Sequence, residues 1–132
     1  IENGKSMIIP NRKISEVILE FGAPLLDELP DSKDRFELES AIKLVVAAWN
    51  AVILDQQQKT RLYEDELLKA IKPMPEGFSS MVKLLFKRKR REYGSDPRTV
   101  GHYEVVDRDG VLTLKAESKV DIEKIDAGVM VH

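Results

Sequence analysis

The chain of 132 residues carries 42% hydrophobic and 33% charged side chains, a balance that suits one globular domain over 1–132 and excludes a disordered tract. Zero cysteines exclude a disulfide framework, thiolate catalysis and every cysteine-based metal site, and two histidines leave little for a histidine-rich one. The 21 basic and 23 acidic residues give a net charge of −2, which argues against wholesale polyanion binding, and no apolar run reaches the roughly 18 residues of a membrane span.

The first dozen residues, 1–12, with Gly4, the apolar Met7-Ile8-Ile9 and Pro10, read as a mobile end or a short extended segment. That apolar stretch is far too short for the core of a signal peptide, so a cytoplasmic address is the default expectation. From Ile14 the apolar positions Ile14, Val17, Ile18, Phe21 and Leu25 recur at spacings of three and four, the helical period. Gly22 and Pro24 interrupt it, because proline lacks an amide donor and crowds the preceding turn, so a kink or break is expected before Leu25-Leu26.

Asp31-Ser32-Lys33-Asp34 is a turn and capping cluster that opens the strongest predicted helix, residues 34–57. Leu38, Ile42, Val45, Trp49 and Val52 form one apolar stripe, and Ala41, Leu44, Ala48 and Ala51 form a second beside it. Lys43, Asn50 and Gln57, seven apart, make a narrow polar seam. A helix this apolar is covered on most sides. Either it is the post around which the other helices pack, or a second copy covers one stripe; the candidate self-association residues are then Ala41, Leu44, Ala48 and Ala51, whose small side chains admit a close helix.

Tyr63 to Ile71 resumes a short helix, ended by Lys72-Pro73-Met74-Pro75, and Gly77 falls in the connecting loop. Ser79 or Ser80 is expected to cap a fourth long helix that turns Met81, Val82, Leu85 and Phe86 inward, with Gly94 closing it in the left-handed conformation. The period then changes to two. Val100 to Asp107 and Val111 to Ser118 read as strands joined by Asp109-Gly110, the dipeptide a type I′ turn favours. Pairing Arg108 with Val111 puts Val105 opposite Leu114 and Tyr103 opposite Ala116 on one face, with Glu104 opposite Lys115 and His102 opposite Glu117 on the other. One face is apolar and the other matches opposite charges. Two strands alone are marginal, so the hairpin must lean on a helix or recruit a third strand, for which Val120 to Ile125, Val129 to Val131 and Met7 to Ile9 are the candidates, leaving 119–132 as strand or tail.

Charge is uneven along the chain: 10 basic and 13 acidic groups over 1–75, 7 and 3 over 76–98, 4 and 7 over 99–132. The basic island centres on Lys87-Arg88-Lys89-Arg90-Arg91, and with Arg98 these are the candidate anion- or partner-binding residues. Five consecutive cations cover about 500° around a helix axis, so they surround it and form no clean stripe. At a helix end they also complement the macrodipole and cap free carbonyls, and the acidic flanks offer them intramolecular partners. Aromatic interleaving, needed for stacking on single strands, is limited to Phe86 and Tyr93.

His102, beside Glu104 and opposite Glu117, has the makings of a general base or metal ligand, yet no recognisable nucleophile accompanies it and a surface cross-strand pair is the better explanation. Asp107-Arg108-Asp109-Gly110 fails as a calcium loop, since its glycine falls at position four instead of six and Ser118 stands where the bidentate glutamate belongs. Glu64-Asp65-Glu66 diverge by about 100° each and read as a solvated face. Trp49, with Val45 and Ile53 four residues either side, reads as core.

The expected fold class is α+β, about four helices followed by a C-terminal β-hairpin. The expected role is a non-catalytic small cytosolic interaction module, with a homodimer through helix 34–57 as one form of it, and no cofactor, metal or membrane. The alternative is a nucleic-acid-binding regulator using 87–91, or the same cations on an acidic protein. An enzyme centred on His102 with Glu104 and Glu117 is the third class.

Overall fold

The computed structural model describes residues 12–29 and 34–119, as α1 (Ile14–Phe21), α2 (Ala23–Leu26), α3 (Arg35–Gln58), α4 (Leu62–Ala70), α5 (Glu76–Glu92), β1 (Thr99–Arg108) and β2 (Val111–Lys119). The protein is α+β and mostly helical: the described residues form four longer helices and one short one, followed by an antiparallel hairpin toward the C-terminal end. The expected N-terminal extended segment and the third-strand candidates at 7–9, 120–125 and 129–131 lie outside the described residues.

Helix α3 is the post. Its 24 residues span about 36 Å, and α1, α2, α4, α5 and β1 all pack on it. Asp34 opens it through a capping box, its carboxylate accepting from the Glu37 amide at 2.8 Å while Glu37 accepts from the Asp34 amide at 3.0 Å. Ile42, Val45, Ala48, Trp49 and Val52 have no exposed surface.

The break between α1 and α2 falls at Gly22, with Pro24 in the first turn of α2, where its missing amide costs nothing. A Cβ on Gly22 would lie 2.7 and 2.8 Å from the two methyls of Val45, so only glycine lets this corner touch α3.

Asp55 makes the next corner. It is buried near the end of α3, which stops in a left-handed turn at Lys59 (φ 57°). One carboxylate oxygen accepts from the Thr60 hydroxyl (2.7 Å) and the Tyr63 amide (2.9 Å), the other from the Glu64 amide (2.9 Å). The residue preceding α4, Arg61, makes no side-chain cap, so Asp55 satisfies the free amides of α4 from the neighbouring helix. Burial acts to raise its pKa, but these hydrogen bonds outweigh burial and hold it below the ordinary value.

Helix α5 starts at Glu76, earlier than its sequence indicates. Pro75 precedes the first turn, and Gly77, Ser79 and Ser80 lie within the helix, so neither serine caps it. Gly94 does not take a positive φ; its role is steric, because a Cβ there would lie 2.7 Å from the Arg90 carbonyl oxygen.

The hairpin register has Val105 opposite Leu114, Tyr103 opposite Ala116, Glu104 opposite Lys115 and His102 opposite Glu117, as the charge and hydropathy pairing predicts. Asp109 (φ 55°) and Gly110 (φ 84°) both adopt the left-handed conformation a type I′ turn requires. An irregularity between Val100 and His102 shifts the pairing by one, and it turns Val100 to the buried face while His102 stays exposed. The apolar face of the hairpin packs against α1 and α3. Asn50 of the polar seam faces inward here: its amide group donates to the Val100 carbonyl (3.1 Å) and accepts from the Val100 amide (2.8 Å), standing in for a neighbouring strand.

Candidate functional site

Successive residues of α5 are rotated by about 100°, so the cations of 87–91 meet different neighbours. Lys89 points inward and has no exposed surface. Its ammonium lies 4.4 Å from the Trp49 ring centroid and donates to the carbonyls of Tyr93 (2.6 Å) and Asp96 (3.0 Å). Burial lowers its pKa to about 8, against a smaller opposing pull from Asp96. Arg88 reaches α1, whose last turn holds no basic residue, and donates to the Phe21 and Glu20 carbonyls, both at 2.9 Å. It thereby supplies the positive charge that the C-terminal end of α1 favours. Arg90 turns the other way and binds the buried Glu64 carboxylate at 2.8 Å. Glu64 is therefore a tie between α4 and α5, and the expectation of a solvated face fails for it, because the helical turn aims it at α5. Arg98 grips Asp96 through Nε (2.9 Å) and Nη2 (2.7 Å), with a further bond to the Arg12 carbonyl (2.8 Å).

These contacts border a cleft of about 400 Å³ lined by Arg12, Val17, Glu20, Arg88, Glu92, Tyr93 and Asp96. Its charges are matched in pairs: Arg12 with Glu20 (2.9 Å), Arg88 with Glu92 (3.1 Å), Asp96 with Arg98 (2.7 Å). The Tyr93 hydroxyl donates to Glu20 at 2.8 Å. Burial, helped by that bond, pushes the Tyr93 pKa up to about 12, while the bonds from Arg12 and Tyr93 hold Glu20 below the ordinary carboxylate value. Under the cleft, Phe21, Trp49 and Tyr93 meet edge to face at centroid distances of 5.1 to 5.7 Å. The arrangement locks α1, α5 and the start of β1 together.

The remaining candidates fall elsewhere. His102, Glu104 and Glu117 share the exposed face of the hairpin, away from the cleft lining. No group of three or more His, Asp or Glu able to hold a metal occurs among the described residues. Ala41, Ala48 and Ala51 are covered by elements of the same chain, and of the four self-association candidates only Leu44 is half-buried. No helix among the described residues is long and apolar enough to cross a membrane.

What remains of the basic run is a ridge that reading consecutive residues does not show. Lys87 and Arg91 are exposed, and Lys83, one turn earlier, extends their line at four-residue spacing. None of the three makes a hydrogen bond or ion pair among the described residues. Together they occupy an arc of about 80° on the side of α5 opposite Val82, Leu85, Phe86 and Lys89. Leu84, 45% exposed, lies beside them. Spacing of four between Lys83, Lys87 and Arg91 was the available signal, hidden inside the denser run. Compared with protein-family models, curated proteins and solved structures, the chain finds no match.

Proposed function

We propose that the protein is a non-catalytic interaction module that meets an acidic partner through the outward ridge of α5. The observation that carries this reading is the line Lys83, Lys87, Arg91, three cations on one exposed helix face that have no counter-ion among the described residues. Like charges four residues apart each cost a helix about 0.2–0.5 kcal/mol, and Arg88, Lys89 and Arg90 are committed to internal contacts, so within α5 the ridge is where positive charge stays available. The cleft beside Tyr93 supports the reading from the other side, since its charges neutralise one another and leave none to draw an ion in. Self-association through α3 is not needed to cover the stripe of Ala41, Ala48 and Ala51, which the chain covers itself.

The test compares the protein with its Lys83→Glu/Lys87→Glu/Arg91→Glu variant for binding of fluorescent poly-L-glutamate, at low and at physiological salt, after thermal melts show both folded. The wild type binds and weakens with salt, and the variant does not bind. Equal binding by both overturns the reading.

A further inference from the structure

Resting on the reading of α5 as the contact face, we infer that its partner is an acidic amphipathic helix with carboxylates at every fourth position, laid alongside α5. Each four-residue step from Lys83 to Lys87 to Arg91 advances about 6 Å. A second α-helix repeats its side chains at the same rise, so three carboxylates meet three cations without drifting out of register over this length.

The alternative polyanion, duplex nucleic acid, fits less well. A helix seated in a major groove faces phosphates on both walls and uses cations on both flanks. Here the flanks are committed, Arg88 to α1 and Glu92, Arg90 to Glu64. The exposed Glu76 also lies two turns before Lys83 on the same line, so the ridge changes sign along its length. A uniformly negative backbone is repelled at that end; a helix bearing a basic residue there is attracted and has its direction set. Leu84 adds apolar surface that a side chain of a helix covers and a phosphate does not.

Fluorescence anisotropy of the full chain with three labelled probes decides the matter. The probes are a blocked alanine-based peptide with Glu at every fourth position over three turns and Lys two turns away, a scrambled peptide of the same composition, and a DNA duplex of ordinary sequence. The patterned peptide is expected to bind about tenfold tighter than either of the others, a difference of about 1.4 kcal/mol. The triple charge-reversal variant is expected to lose it and instead to bind a peptide in which Lys replaces each Glu, a gain that requires the variant to be folded. If both peptides bind equally and reversal abolishes both, the ridge stands and the helical partner is overturned. If the duplex binds tightest and reversal abolishes it, the ridge serves phosphates and the inference is wrong. If reversal changes no affinity, the ridge itself is not the contact face.

Discussion

Lys89 stands over the Trp49 ring at 4.4 Å and gives its protons to the carbonyls of Tyr93 and Asp96, a cation held inside the core by one π face and two backbone oxygens. Both interactions favour the charged form, yet burial wins and the pKa falls to about 8. The sign of the pH effect follows. Between about 8 and the unfolded value of 10.5 the unfolded chain holds a proton that the folded chain has lost, so this group makes stability rise with pH across that window. Tyr93 acts oppositely, because its raised pKa keeps a proton in the folded state between 10 and about 12, and its contribution is lost as pH rises through that range. Urea melts from pH 7 to 11 should show a rise followed by a fall. In Lys89→Met the rise should vanish, and the loss of both bonds, with the Tyr93 carbonyl keeping only the Asp96 amide and the Asp96 carbonyl losing its ammonium donor, should lower stability at pH 7 by about 1–3 kcal/mol.

Asp55 caps α4 from α3, so Asp55→Ala should cost about 2–3 kcal/mol, at the upper end for a cap because three donors lose a charged acceptor. Its pKa is depressed, which makes its stabilisation complete above the unfolded value of 3.8 and lost as pH falls through the folded value. Acid titration of the wild type and of Asp55→Asn should therefore converge at low pH. Persistence of the full gap below pH 2 would contradict the assignment.

Asn50→Leu keeps the branched shape of the side chain, with two methyls in place of the amide oxygen and nitrogen, and removes both bonds to Val100. Amide exchange at Val100 is expected to accelerate before that of Val105, with a global loss of about 1–3 kcal/mol for the stranded backbone groups. Uniform acceleration along β1 would mean that Asn50 acts through packing alone.

Gly22→Ala should destabilise by about 1–3 kcal/mol, since the new Cβ falls within 2.8 Å of the Val45 methyls. Val45→Ala by itself opens a cavity and also destabilises. Combined, the two changes should cost less than their sum, because the added methyl enters the space Val45 vacates. Strict additivity in chemical denaturation would show that the contact does not limit the corner.

Much of the fold follows from local periodicity. The three-and-four spacing of Ile14, Val17, Ile18 and Phe21 defines α1, the crowded stripes of α3 mark it as the buried post, and pairing Glu104 with Lys115 fixes the hairpin register. These are readable because a period states which way each side chain points within its own element. It does not state what lies opposite. The sequence alone shows five adjacent cations at 87–91, and tertiary structure sends Arg88 to α1, Lys89 onto Trp49 and Arg90 to Glu64. Asn50 and Asp55 gain their partners only where β1 and α4 arrive beside them, and Gly22 and Gly94 are required because a Cβ there would fall 2.7 Å from a Val45 methyl and from the Arg90 carbonyl oxygen. Ion pairs and close approaches are set by distances between elements, which decide by fractions of an ångström what a one-dimensional pattern records only as polar or small.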